Sequence, residues 1–279
     1  MANILNGKAL AKTILADIKT QAKNMQSPPG LAVIIVGDDP ASHIYVKNKK
    51  KDCKACGITS KEFTLPENYG EDKLLTLIRE LNKAEDIHGI LVQLPLPKGY
   101  NVQKIIQAIS PEKDVDAFHM LNVGRILNGD YGFLPCTPAG VIALLDHYSI
   151  DPKGMHCVVV GRSDIVGKPM AMMLLHRHAT VTICHSQTKD IASITRQAGI
   201  LVASVGKTNL ITADMVKPGA VVIDVGINHT EKGLCGDVDF EAVSQVASYI
   251  TPVPGGVGPM TRAMLMQNTL NAAIQLQNL

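Results

Sequence analysis

The sequence predicts an α/β protein of two domains, each built on a parallel sheet. Val- and Ile-rich runs alternate with segments of helical period along most of the chain, and such alternation makes parallel sheets with helices on both faces. The alternation comes in two series, separated by a span rich in Gly, Pro, Asp and Asn over residues 111–140, too long for an ordinary connection. The 279 residues, 46% of them hydrophobic, suffice for one or two domains with sizeable cores.

The opening residues, "MANILNGKALAKTILADIKTQAK", read as an amphipathic helix without the apolar core and cleavage site of a signal peptide. "LAVIIVG" (31–37) reads as a buried strand and "PASHIYVKNKKKDCKACG" (40–57) as a helix that Gly57 stops. "SKEFTL" is a strand and "GEDKLLTLIRELNKA" a helix. "HGILVQLPLP" (88–97) is a strand closed by prolines, and "NVQKIIQAI" a short helix ended by Ser110-Pro111. The span 111–140 reads as irregular, a functional segment or an inter-domain crossing. The helix "AGVIALLDHY" then opens the second series, with strands at "HCVVVG" (156–161), "TVTICH" (180–185), "ILVASVG" (200–206) and "AVVIDVGIN" (220–228). "ITPVPGGVGP" leads into a final helix from residue 260. The expected domains are 1–138, completed by the helix 260–279, and 139–259.

A net charge of +2, no Trp and four Phe argue against a nucleic-acid partner, which wants a basic face and stacking platforms. No apolar run approaches the ~18 residues of a membrane span. Six scattered cysteines suit a reducing compartment, and a cytoplasmic protein is expected. "CKAC" lies at a helix end rather than the helix N-terminus a redox pair wants, and lacks a second pair for zinc. Its thiols, Cys53 and Cys56, are expected half-buried. The nine histidines show no ligand spacing, and no metal is expected.

"VVVGRSDIVGKPM" places a glycine at a strand end, a short loop, a second glycine and a helix. Backbone N–H groups at such a helix start suit a pyrophosphate. The loop is neither G-x-G-x-x-G, since Ser163 stands at the second glycine, nor a Walker A loop; the bare pattern also fits a structural turn. In an NAD enzyme an acid ~20 residues past the loop holds the ribose 2′-hydroxyl. Here the next strand ends in His185-Ser186, with no acid until Asp190, a helix N-cap by position. Ser186, Arg162 and Ser163 suit a 2′-phosphate, so NADP is favoured over NAD.

Taken together, "YVKNK", "GILVQLPLP", "PEKDVDAFH", "PCTPAG", "VVVGRSDIVGKP", "GDVDF" and "PVPGGVGPMT" resemble, in order, the motifs of the bifunctional methylenetetrahydrofolate dehydrogenase/cyclohydrolases. The resemblance spans essentially the whole chain. It implies two α/β domains flanking a cleft, a Rossmann-like nucleotide-binding second domain and a homodimer formed through it. It also implies NADP-dependent oxidation of 5,10-methylene-tetrahydrofolate, followed by hydrolysis of the methenyl cation to 10-formyl-tetrahydrofolate.

The catalytic residues it implies are Lys49, Tyr45, Gln93 and Asp116. Tyr45 and Lys49 lie four apart, on one helical face. Lys49 would carry the acid/base role, Gln93 orient its amine, Tyr45 stack on the folate, and Asp116 accept hydrogen bonds from the pterin edge. Folate contacts would come from these four with Pro254, Gly255 and Gly256. Cofactor contacts would come from Gly161, Arg162, Ser163, Ile165, Ser186, Gly206 and Ile227. Three positions depart from the family pattern: Ala117 for a glycine beside Asp116, Thr208 for a proline, and Arg262 for a β-branched residue. Asp114 points the other way from Asp116 and reads as structural. Competing readings are a dehydrogenase-only relative, a folate- or nucleotide-binding protein without turnover, and an RNA-binding protein using the lysine run.

Overall fold

The computed structural model describes residues 1–231 and 233–277, with Ala41 by its backbone alone. In chain order the elements begin with β1 (Asn3–Ile4), α1 (Gly7–Lys23), β2 (Gly30–Val36), α2 (Pro40–Cys56) and β3 (Thr59–Leu65). Next come α3 (Glu71–Lys83), β4 (Gly89–Val92), α4 (Val102–Gln107), α5 (Met120–Asn128) and α6 (Cys136–His147). The second series is β5 (His156–Val160), α7 (Gly167–His176), β6 (Thr180–Cys184), α8 (Ile191–Thr195), β7 (Ile200–Ala203) and β8 (Val221–Asp224). A hairpin of β9 (Asn228–Thr230) and β10 (Gly233–Cys235), then α9 (Phe240–Val243), β11 (Tyr249–Ile250) and α10 (Val257–Gln277), complete the chain.

Two compact units result, one of residues 12–136 with 262–279, the other of residues 1–11 with 137–261. Residues 1–11, expected with the first domain, therefore belong to the second. The reason is β1, whose two residues pair in parallel with β11. So short a strand, inside what reads as a helix, carries no local signal.

The first unit is built on a parallel sheet of order β3-β2-β4. All seven residues of β2 are buried, because successive side chains enter opposite faces and both faces are covered. Leu31, Val33 and Ile35 join one core with Ile18 of α1, Val46 and Cys53 of α2, and Leu270 of α10. Ala32, Ile34 and Val36 join the other with Leu74, Leu75 and Ile78 of α3 and Ile105 of α4. Each large apolar side chain so buried contributes about 1.5–3 kcal/mol relative to exposure, which anchors α2 against the sheet.

The second unit is built on a six-stranded sheet of order β1-β11-β8-β7-β5-β6, parallel at every pairing. Strand β5 lies between β6 and β7, so chain order reverses beside it. That is the switch point where open α/β sheets bind ligands beyond their strand ends. Val158 and Val160 of β5, Leu201 and Ala203 of β7, and Val222 of β8 share one core.

Two expectations need correction in detail. The span 111–140 is not irregular throughout: it contains α5, capped by the His119 side chain at its start and by left-handed Gly129 at its end, and the first turn and more of α6. Cys53 and Cys56 are fully buried rather than half-buried, and burial pushes their thiols up to about 12 and about 11, far from redox reactivity.

Candidate active site

Helix α2 is started by Asp39, whose carboxylate accepts the Ser42 N–H at 2.8 Å, with Pro40 in the first turn, and it is ended by left-handed Gly57. These local devices set the helix register and hence which side chains share a face. Lys47, Lys50, Lys51 and Lys54 are exposed, whereas Tyr45 and Lys49 are half-buried on the inner side. Lys49 Nζ donates to Gln93 Oε1 at 2.8 Å. Gln93 directly follows β4; its own N–H extends the sheet to Ile34 O, and its side-chain Nε2 donates to Leu94 O at 2.7 Å. That second bond decides which end of the amide faces the lysine. Burial pushes the Lys49 ammonium down from the ordinary lysine range, against the pull of Asp116, and the guanidinium of Arg262 pushes in the same direction as burial.

Asp116 sits in a turn closed by the Ala117 N–H on Asp114 O at 3.0 Å. Asp114 is buried and accepts the His119 N–H and Asn122 Nδ2, each at 2.8 Å, so it builds the turn, as its direction implies. Asp116 is half-buried, and the Cys136 thiol lies 3.5 Å from its Oδ1. Burial pushes the Asp116 carboxyl up while Lys49 pulls it down. The Cys136 thiol is pushed well up, by burial first and then by Asp116, so it acts as a neutral donor.

Three contributors escape the sequence reading. Cys136 reads there as one of the scattered thiols, although "PCTPAG" marks its neighbourhood. Asn268 of α10 donates to Val115 O at 2.8 Å and Leu134 O at 2.9 Å, tying together the strands of chain that carry Asp116 and Cys136. Arg262, noted only as a departure, pairs through Nε with Asp52 Oδ2 at 2.6 Å. Asp52 lies one turn after Lys49 on α2. Nothing local signals either α10 contact.

The candidate dinucleotide residues lie in the second unit. The register pairs Val160 of β5 with Cys184 of β6 and Ala203 of β7, and Ala203 with Asp224 of β8. Gly161, Arg162 and Ser163 therefore leave the same sheet edge as Ser186, Gly206 and Ile227. Gly161 has φ +133 and Gly167 lies against its carbonyl; a Cβ on Gly161 would meet the Ser204 backbone, and one on Gly167 would meet Gly161 O. Ser163 Oγ accepts the Val166 and Gly167 N–H groups at 3.2 and 3.3 Å, holding the entry to α7. Asp164 pairs with Lys168 one turn on.

Arg162 and Ser186 are exposed at the ends of adjacent strands, with no carboxylate at the β6 end. This donor set fits a ribose 2′-phosphate rather than a bare 2′-hydroxyl. Exposed Ile165 and Ile227 offer apolar faces at the same edge. Asp190 is the N-cap of α8, as its position predicts. Pro254, Gly255 and Gly256 also belong to the second unit. There the backbone turns tightly, Gly256 N–H reaching Pro252 O at 2.8 Å, and a Cβ on Gly256 would meet Thr251 and Pro252.

Among the described residues no group of His, Cys, Asp or Glu is arranged to hold a metal, and no helix is long and apolar enough to cross a membrane.

Comparison with known proteins adds independent findings. The family model of the tetrahydrofolate dehydrogenase/cyclohydrolase catalytic domain matches residues 5–116, and that of the same family's NAD(P)-binding domain matches residues 135–277. The bifunctional protein FolD of Geobacillus thermodenitrificans is 56% identical over 279 residues, covering 99% of this chain and 98% of its own. The FolD methylenetetrahydrofolate dehydrogenase/cyclohydrolase structure from Campylobacter jejuni superposes with a TM-score of 0.96 at 50% identity, over 99% of each chain. The FolD of Trypanosoma brucei, complexed with NADP cofactor and inhibitor, gives 0.93 at 38% identity over 98% of each. With both family models matched and relatives of 50% identity or more spanning the full length, the chain belongs to the tetrahydrofolate dehydrogenase/cyclohydrolase family.

Proposed function

We propose that Lys49 moves the protons of the hydrolytic step in a bifunctional one-carbon enzyme. The chain oxidises 5,10-methylene-tetrahydrofolate with NADP⁺ to the 5,10-methenyl cation and hydrolyses that cation to 10-formyl-tetrahydrofolate. Bound NADP⁺ supplies the hydride acceptor. The chain's own residues bind the dinucleotide at Gly161, Arg162, Ser163, Ile165, Ser186, Gly206 and Ile227, and the folate at Tyr45, Lys49, Gln93, Asp116, Pro254, Gly255 and Gly256. Asp116 has a carboxylate suited to bidentate hydrogen bonds from an amino-pyrimidine edge. Tyr45, one turn before Lys49, offers a ring face to the folate.

The observation that carries this reading is the 2.8 Å bond from Lys49 Nζ to Gln93 Oε1. A neutral amine spends an N–H on Gln93, and its lone pair then points elsewhere, free to accept a proton. Burial favours that neutral form, and a methenyl cation beside it favours it further. Lys49 takes a proton from the water that attacks the methenyl carbon. It returns the proton to the ring nitrogen as the carbon–nitrogen bond breaks; the remaining hydroxyl proton leaves as the formyl group forms.

Lys49→Gln is expected to bring methenyl hydrolysis down by about 10²–10⁴-fold, the usual worth of a positioned acid/base, with the fold intact by circular dichroism. Unchanged hydrolysis in the folded variant removes the role. Parallel assays with NADP⁺ and NAD⁺ test the Arg162–Ser186 preference. A homodimer through the nucleotide domain belongs to the same reading and rests on the family resemblance. So does a cytoplasmic location, which the six free thiols also suit.

A further inference from the structure

Two buried carboxylates in the second unit have no part in the chemistry above. Asp237 follows β10 and is fully buried. Its Oδ2 accepts the N–H groups of Val205 at 2.6 Å and Gly206 at 3.0 Å, and its Oδ1 accepts that of Lys207 at 2.8 Å. Three successive N–H groups turned to one point form an anion-binding concavity of the kind that often holds a phosphate. In this chain its own carboxylate fills it.

Asp224, the last residue of β8, is buried as well. It accepts the N–H groups of Gly226 at 3.0 Å, Asp237 at 2.9 Å and Val238 at 3.0 Å. The Asp224 carboxylate thus holds the backbone of Asp237, the residue that fills the concavity. Asn228 closes the network, donating through Nδ2 to Asp237 Oδ1 at 3.0 Å and to Gly236 O at 3.1 Å. The fit leaves no slack: a Cβ on Gly226 would meet the Asp237 carboxylate, and one on Gly236 would meet that of Asp224.

Two candidate cofactor residues emerge from this network. Gly206 is held by its own N–H, and exposed Ile227 stands between the held residues Gly226 and Asn228. We propose that Asp237, with Asp224 behind it, is a positioning residue for the dinucleotide, fixing the loop 205–207 and the turn 226–228 before the cofactor arrives. The inference rests on the NADP reading above. With its N–H groups spent on Asp237, the loop after β7 offers the cofactor shape rather than donors. Phosphate binding then falls to the loop Gly161–Ser163 and to Ser186.

The test separates positioning from bulk stability because methenyl hydrolysis uses no dinucleotide. Asp237→Asn puts an N–H₂ against backbone N–H donors and frees the loop. NADP⁺ affinity, read by titration calorimetry, is expected to fall about tenfold or more, the effect of about 1.4 kcal/mol of added ordering cost. The KM for NADP⁺ should rise with it, while kcat at saturating cofactor and the rate of methenyl hydrolysis hold. Unchanged NADP⁺ affinity in the folded variant, or an equal fall of both activities, overturns the proposal. Should Asp237→Asn not fold, Asn228→Ala removes a single bond of the network; a severalfold weaker NADP⁺ affinity supports the proposal and an unchanged one overturns it. A wild-type chain that bound no NADP⁺ would instead remove the functional reading on which this rests.

Discussion

Ala117 adopts φ +59, the left-handed region where an L-residue with a Cβ costs about 1–2 kcal/mol. By the resemblance noted above, a glycine is usual at this position. The turn around Asp116 places Ala117 at a positive φ that glycine adopts freely, and alanine bears the strain. Its methyl is fully buried, which offsets about 0.8 kcal/mol. Ala117→Gly removes the strain, loses the methyl and makes the unfolded chain freer, by about 0.5–1 kcal/mol. These effects nearly cancel, so the urea midpoint is expected to move by less than the equivalent of about 1 kcal/mol, with hydrolysis preserved. Ala117→Val, with a branched Cβ at positive φ and no room around it, is expected to cost more than about 3 kcal/mol. If both variants lose stability alike, the strain argument is wrong. The other departure in a loop, Thr208, is exposed, and its hydroxyl lies 3.6 Å from the Cys235 sulfur.

At the scale of elements, α10 does more than close a core. Its Asn268 holds the turns that carry Asp116 and Cys136, and its Arg262 reaches Asp52 on α2. Arg262 works on Lys49 as a positive charge, pushing the amine toward its neutral form. Arg262→Val removes that charge and leaves the Asp52 carboxylate unpaired, so the Lys49 pKa rises. A base works only when unprotonated, so the rising limb of the hydrolysis pH profile should move to higher pH. The unpaired, part-buried Asp52 should cost about 1–3 kcal/mol of stability, between an exposed and a buried ion pair. A stable variant with an unmoved pH limb would leave Arg262 a structural role alone. Helix α5 teaches a different lesson about elements. It lies in a stretch whose Gly, Pro and Asp content reads as loop, yet Asp114 and His119 organise its start, and tertiary anchoring outweighs composition there.

For the whole molecule, the buried acids set the pH dependence of folding. Burial pushes the Asp224 carboxyl up to about 6, and those of Asp114 and Asp116 up as well. Between pH 4 and 6 Asp224 therefore holds in the folded chain a proton that it has released in the unfolded chain, and its contribution to stability falls as pH rises through that window. Asp224 alone accounts for roughly 3 kcal/mol, from its rise above the ordinary 3.8. His88, which burial pushes down, works the other way, losing stability as pH falls through the imidazole range, as do Glu71, Asp86 and Glu112, whose carboxyls hydrogen bonds hold down, through the carboxylate range below that window. The ligand-free chain is expected to show a urea midpoint that declines from pH 4.5 to pH 6. A midpoint rising across that interval would show that these carboxylates are better solvated or better paired than their burial implies.

Much of this protein is written in local chemistry. The period of apolar residues marks β2, α3 and β5; Asp39, Gly57 and Asp190 mark helix ends through their own side chains and backbone angles. The Lys49 and Asp116 motifs and the glycine loop are legible for the same reason, since each is a short run whose residue types carry the chemistry. Other features depend on groups far apart in the chain: β1 joining β11, Asn268 reaching back to Val115, and Asp237 filling the N–H nest at 205–207. Buried donors and acceptors must find partners once water is excluded, and the folded topology alone determines which distant group is near enough to serve.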